Sequence, residues 1–312
     1  MGGRVEDAAG SGTRVRRAGA GGRPLVLDGG LSTWLEARGD DVSGPLWSGR
    51  LVVEAPDAVR TAHRAFAEAG ADVATTATYQ LSPEGTARVL GTDAAGYRRL
   101  VATAVRLARE GAPGALVAGS MGPWGAVLAD GSEYTGAYAG PGGLGVAELR
   151  RRHRPRLEAL VEAGVDVLAC ETLPCLAEVE AIVAEVTEAG VTAWISVTAV
   201  LADGVPVTRR GEPLVEALRM AADLPGLLAA GVNCCAPEVV GPAARAAAEA
   251  GVPLVAYPNG GRWDPARTTW ADAGTPRGWA EQLAAVNPAL VGGCCGVGPE
   301  AIAQLARTVT QR

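Results

Sequence analysis

The strongest constraint on the fold is a rhythm that starts at residue 24 and continues to the end of the chain. A short run rich in Val, Leu, Ala or Ile ends on a polar residue, a helix-length segment follows, and the pair recurs eight times. The short runs are 24–28, 71–79, 115–120, 165–171, 193–198, 226–234, 253–259 and 289–294. None shows clean in–out alternation, and such continuous apolar runs belong to parallel strands covered on both faces. Between them, residues 55–70, 94–111 and 146–164 space Ala, Leu and Val as a helix with one buried stripe requires. Gly70, Gly111, Gly164, Gly190 and Gly251 stand where helices should stop. Pro155 predicts a kink or a helix start. Eight strand–helix pairs predict an α/β fold, a single (β/α)8 TIM barrel over residues 23–312, with a doubly wound open sheet as the rival. No change of composition marks a second domain. Residues 1–22, rich in Gly, Ala and Arg, read as a disordered leader. Arg16 and Arg17 there lack the apolar stretch that a twin-arginine signal needs.

Composition removes several kinds of chemistry. All 28 basic residues among the 312 are Arg, so a P-loop lysine, a lysine Schiff base and a Ser–Lys dyad are excluded. The two histidines, His63 and His153, cannot make a multi-histidine metal site. A net charge of −6 argues against a general nucleic-acid binder. No apolar run is long enough to cross a membrane as a helix. Six cysteines are too few for a disulfide scaffold in a chain this long, which points to a reducing compartment and to thiol or metal chemistry. With an acidic pI of about 5.2, the expectation is a cytoplasmic protein.

In a (β/α)8 barrel, chemistry sits at the C-terminal ends of the strands. Those ends carry Asp28, Tyr79, Ser120, Glu171, Thr198, Cys234, Asn259 and Cys294. Cys234 closes the sixth run, and Cys294 with Cys295 closes the eighth. One strand separates the two, so their ends can face one mouth. Three thiolates there would make a three-cysteine zinc site with one position left for substrate. Gly292, Gly293 and Gly296 would let the chain turn so that both neighbouring sulfurs face one ion. The plain alternative is that these cysteines are small buried hydrophobes. Cys235 reads as a bystander, and Cys170 and Cys175 as packing residues. An open zinc–thiolate site would take up a thiol substrate as its thiolate, a nucleophile that needs no general base.

The motifs that run through these strands resemble the homocysteine S-methyltransferases, and are most similar to the bacterial and plant type that uses S-methylmethionine or S-adenosylmethionine. The likeness covers about residues 24–308 through LDGGLSTWLEARG (27–39), LWSGRLVVEAPD (46–57), AGADVATTATYQ (69–80), AGSMGPWGAVLADGSEYTGAY (118–138), HRPRLEALVEAGVDVLACETLP (153–174), GVNC (231–234), YPNGGRWD (257–264) and VGGCC (291–295). The resemblance implies a (β/α)8 barrel with a catalytic zinc held by Cys234, Cys294 and Cys295. It implies that Glu171 binds the amino group of L-homocysteine and that Asp28 and Gly29 line its pocket. It places Tyr79 near the metal, as a weak fourth ligand without substrate, and Asn233 and Asn259 in support of the metal and pocket. Simpler roles stand beside these: Asp28 as a turn cap, Glu171 as the partner of a structural Arg, Tyr79 as core.

The stretch 121–143 reads either as an ordinary excursion or as a mobile lid over the donor. Its length, with Trp124, Tyr134 and Tyr138, favours the lid, whose aromatic faces would meet a sulfonium. Gly296 after GGCC and Gly260 after YPN depart from the family pattern and leave the donor open. Betaine-using enzymes of the same fold, selenol or other thiol acceptors, and a non-catalytic zinc-storage or redox protein are the rival readings. Without the extension that supports oligomers among betaine-using relatives, the expectation is a monomer.

Overall fold

The computed structural model describes residues 22–140, 142–264, 269–271 and 274–311. All but the last residue of the expected leader, 1–22, lies outside these. Each of the eight apolar runs contains a strand: β1 (Leu25–Val26), β2 (Val73–Thr75), β3 (Leu116–Met121), β4 (Val167–Leu173), β5 (Ala193–Val197), β6 (Leu227–Asn233), β7 (Leu254–Tyr257) and β8 (Leu290–Val291). Every pairing between neighbours is parallel, from β2–β3 round to β8–β1. A parallel bridge from Leu27 to Val73 joins β1 to β2 and closes the ring. The open-sheet rival is thereby excluded, and the fold is the (β/α)8 barrel that the rhythm predicts.

Two hydrophobic layers hold it. Inside the ring, Leu25, Leu27, Val73, Leu116, Val167 and the fully buried Trp194 fill the barrel. Outside, alternate strand residues such as Val26, Leu168, Ile195 and Val232 pack on the helices. This double burial is why the strands read as unbroken apolar runs.

The predicted helices form as Pro56–Glu68, Ala94–Gly111 and Val146–Glu162. Asp93 caps the second, its carboxylate accepting the Gly96 N–H at 2.7 Å. Pro155 neither starts nor ends its helix but lies inside it. Gly70, Gly164, Gly190 and Gly251 take the left-handed conformation beyond helix ends, whereas Gly111 is still the last helical residue. There a Cβ would lie 2.5 Å from the Arg60 carbonyl oxygen, so close packing, not a turn, demands glycine.

Two antiparallel hairpins that the periodicity does not predict decorate the mouth. One, Ala199–Ala202 with Val205–Thr208, follows β5; the other, Arg262–Asp264 with Thr269–Ala271, follows β7. Among the described residues no helix is long and apolar enough to cross a membrane.

Candidate active site

The strand ends converge on one cavity at the C-terminal mouth. It is lined by Asp28 and Gly29 after β1, Glu171 on β4, Asn233 and Cys234 at the end of β6, and Cys294 and Cys295 after β8. Among the described residues no basic side chain lines it. The cavity is therefore suited to positively charged groups.

The three sulfurs all lie within 4.8 Å of one another. Cys234 Sγ is 3.8 Å from Cys295 Sγ, which is 3.9 Å from Cys294 Sγ. A tetrahedral zinc with Zn–S bonds of about 2.3 Å sets its sulfurs about 3.8 Å apart, which matches the spacings that Cys295 makes to Cys234 and Cys294. Cys234 holds a φ of 47°, a conformation that a side chain rarely adopts, at the strand end where it meets the other two. Of the neighbouring glycines only Gly296 is left-handed. Gly293 instead admits Val297, whose side chain would lie 2.2 Å from a Cβ there. Hydrogen bonds from Cys294, Cys295 and Tyr134 hold the Cys234 thiol well below its usual pKa, and the same sharing pushes Cys294 and Cys295 up. Cys235 and Cys170 lie in the outer core and Cys175 in a smaller cluster under residues 124–149, as packing residues.

Beside the sulfurs, Glu171 is 7% exposed and Asp28 4%. Ser120 Oγ donates to Glu171 Oε1, and the Tyr257 hydroxyl donates to Oε2 at 3.0 Å. Tyr257 is fixed in turn by Trp194 Nε1 at 3.0 Å and by the Ser196 hydroxyl at 2.6 Å. Asp28 accepts from the Thr75 N–H at 2.7 Å and from its hydroxyl at 2.8 Å. Burial outweighs these bonds and pushes both carboxyls up to about 7. An ammonium ion between them would restore the charged forms. Among the described residues neither carboxylate pairs with an Arg; the partners of Glu171 are Ser120 and Tyr257.

Glu171 stands next to an irregularity. The β4–β5 register shifts between Cys170 and Leu173, and Thr172 has a φ of 64°. Asn233 holds this bulge: its Oδ1 accepts the Thr172 N–H at 2.7 Å and its Nδ2 donates to the Thr172 hydroxyl at 2.8 Å. Asn233 thus supports the pocket by shaping the backbone beside Glu171. Asn259 is different. It does not line the cavity, and its backbone N–H donates to the Cys235 carbonyl at 2.9 Å.

Tyr79 does line the cavity, stacked on Trp47 with ring centroids 6.0 Å apart. The phenol that reaches a cysteine is another one: the Tyr134 hydroxyl is 3.2 Å from Cys234 Sγ. Arg209 stands 5.6 Å from the Tyr134 ring centroid and donates to the Thr198 hydroxyl, which donates to the Cys234 carbonyl at 3.2 Å.

Stretch 121–143 is not a bare lid over the donor. It contains a helix, Trp124–Leu128, and a single turn, Ser132–Tyr134. Of its three aromatics only Tyr134 lines the cavity. Trp124 faces Arg152, whose guanidinium carbon is 4.5 Å from the ring centroid. The Tyr138 hydroxyl donates to the fully buried Glu178, which also accepts the Trp124 N–H at 2.7 Å and meets His153 Nε2 at 2.8 Å. Tyr257, Trp47 and Gln80, which the sequence reading does not single out, join the site; their place inside the motifs 257–264, 46–57 and 69–80 is the cue that could have found them.

A parallel barrel with a metal-competent sulfur trio beside two buried carboxylates defines a thiol-handling barrel enzyme. Comparison narrows this further. The profile of the homocysteine S-methyltransferases matches residues 25–309, and the chain belongs to that family. It is 40% identical to the homocysteine S-methyltransferase of Escherichia coli over 90% of this chain and 94% of that one. A selenocysteine Se-methyltransferase of Brassica oleracea is 33% identical over 92% and 89%. The metallated form of the E. coli homocysteine methyltransferase MmuM superposes with a TM-score of 0.80 at 38% identity, covering 94% of this chain and 99% of that one.

Proposed function

We propose that this enzyme moves a methyl group from a sulfonium donor, S-methylmethionine or S-adenosylmethionine, to the thiol of L-homocysteine, with zinc as its metal. The observation that carries this reading is the sulfur trio, spaced as zinc requires, in the same cavity as Glu171 and Asp28. Zinc held by Cys234, Cys294 and Cys295 would supply a fourth position at which an incoming thiol loses its proton near neutral pH.

The chain's own residues do the rest. Glu171, aimed by Ser120 and Tyr257, receives the acceptor's ammonium group, with Asp28 and Gly29 beside it. That fixes the acceptor's sulfur near the cysteines. The sulfur's electron pair then forms a bond to the methyl carbon, while the old carbon–sulfur bond breaks and its pair stays on the leaving thioether. An anion and a cation become two neutral thioethers. Water stabilises the separated charges more than the neutral products, so a cavity that excludes it favours transfer. Among the described residues no basic side chain in the lining repels a cationic donor. Holding both partners in line supplies further rate.

A storage or redox protein needs thiols alone; here the thiols share a cavity with two buried carboxylates, which favours catalysis. The test is methionine formation by zinc-loaded protein, with S-methylmethionine, S-adenosylmethionine and betaine in parallel and selenohomocysteine as a second acceptor. Turnover with either sulfonium supports the reading. Turnover with betaine alone, or none with any donor, sinks it.

A further inference from the structure

The cavity has a second, outer end built from loops. After β2 the chain turns through Ala77, Tyr79 and Gln80, and this turn faces the segment Leu46–Gly49, where Gly49 packs against Leu81 and Trp47 stacks on Tyr79. Three features mark this end. Leu46 and Trp47, neither of them glycine, hold φ values of 76° and 44°. Such backbone persists where surrounding packing enforces it and clusters at ligand sites. The stacked Trp47 and Tyr79 present aromatic surface to the cavity, an attractive wall for a cation. Third, Gln80 is 3% exposed and lines the cavity, yet neither its Nε2 nor its Oε1 has a hydrogen-bond partner among the described residues. Buried amides are nearly always bonded, so one left without partners on a cavity wall calls for a ligand.

We propose that Gln80 is a specificity-determining residue of the donor subsite, where its amide takes the amino-acid head of a sulfonium donor while the sulfonium lies toward the aromatic wall. This rests on the sulfonium reading above and deepens it. The inner carboxylates, tied to Thr75, Ser120 and Tyr257, serve the acceptor's ammonium and leave the outer end to the second substrate. A primary amide both donates and accepts. It matches a head that offers carboxylate oxygens and ammonium hydrogens, and it matches poorly a quaternary ammonium, which has no hydrogen to give.

Steady-state kinetics of Gln80→Met with S-methylmethionine and L-homocysteine, together with melting temperature, test this. The expected result is a donor KM raised tenfold or more, an acceptor KM within twofold of wild type, and a melting temperature equal or higher, because an unpartnered buried amide has been removed. A donor KM within twofold of wild type, or an acceptor KM rising by the same factor, overturns the assignment. If Gln80→Met melts several degrees lower, Gln80→Leu decides, since it removes both the donating NH2 and the accepting oxygen with a second apolar shape. It should raise the donor KM at least as much, and an unchanged donor KM overturns the assignment. Wild-type turnover with S-methylmethionine that neither variant weakens sinks only the role of Gln80. A wild type that uses no sulfonium sinks the functional reading itself.

Discussion

The two ends of the mouth cavity are built on different principles. At the inner end the carboxylates rest on partnered groups: Glu171 on Ser120 and Tyr257, Tyr257 on Trp194 and Ser196, Asp28 on Thr75. These residues lie on β2, β3, β4, β5 and β7 or directly beyond a strand, so the barrel itself sets their positions. The outer end stands on loops and carries an amide without partners among the described residues; strained non-glycine backbone is common to both ends, at Leu46 and Trp47 here and at Thr172 and Cys234 there. A group with all its bonds made is preorganised before substrate arrives. A group with none must make them to the substrate, and selectivity then resides in it. On the reading proposed above, the inner end fixes what the enzyme acts on, and the outer end chooses what it takes the methyl group from.

The largest effect should come from breaking the inner end at its sulfurs. Cys294→Ala should lower turnover by roughly a thousandfold or more and reduce tightly bound zinc from one equivalent to none, as removal of one of three ligands from an open site demands. Zinc measured by mass spectrometry and methionine formation check this together. Cys235→Ala, one residue from a ligand but facing the outer core, should keep both near wild type. If the two variants behave alike, the contrast between sulfur trio and packing cysteine fails.

Next in size is Glu171→Gln, which keeps the shape and the Ser120 contact but removes the charge opposite an ammonium. A charge-assisted bond is worth roughly 1.5–3 kcal/mol, so kcat/KM for homocysteine should fall about 10- to 150-fold, with the donor KM nearly unchanged. An equal rise in the donor KM would mean that the two ends are not separate subsites.

Much of the inner end was legible because barrel strands announce their own ends. A strand buried on both faces must be apolar, so the first polar residue after each run marks the mouth, and Asp28, Ser120, Glu171, Cys234 and Cys294 follow from that alone. Asn259 shows the limit of the rule: it ends a run but does not line the cavity, and its neighbours Pro258 and Gly260 bond to the backbone of Cys294 and Cys295 while its own N–H donates to Cys235. Loops carry no such period. Nothing in the spacing of Trp124, Tyr134 and Tyr138 tells which one reaches the sulfurs, because that depends on Glu178, 40 residues beyond Tyr138, which draws Tyr138 and the Trp124 backbone to itself. The role of Gln80 was equally hidden, since an unmade bond has no sequence signature.

The buried carboxylates also set a pH dependence of stability. Asp28 and Glu171 titrate near 7 in the fold, above the usual carboxylate range, because burial disfavours their charged forms. The folded protein therefore holds protons that the unfolded chain has released. Their stabilising contribution is complete below about pH 4 and is lost as pH rises through 7. Between these limits ligand-free protein should lose on the order of a few kcal/mol to these groups, and Asp28→Asn should flatten part of that slope in urea unfolding followed across the range. Saturating homocysteine should flatten it as well, since an ammonium beside the pair favours the ionised forms. A slope that Asp28→Asn leaves untouched would show that the Asp28 carboxyl ionises as freely as an exposed one.

The smallest expected effect concerns the one aromatic that spans from the loops to the sulfurs. Tyr134→Phe removes the hydroxyl 3.2 Å from Cys234 but keeps the ring against Arg209. A neutral hydrogen bond is worth about 1 kcal/mol, so kcat should change by no more than about fivefold, and bound zinc should stay at one equivalent. Tyr134→Ala also removes the ring that lines the cavity beside Cys234. If exclusion of water is what favours charge cancellation, it should cost at least ten times more in kcat than Tyr134→Phe. Equal effects of the two substitutions would place the contribution of Tyr134 in its hydroxyl, and the boundary between the preorganised and the selective end would then run behind Tyr134 instead of through it.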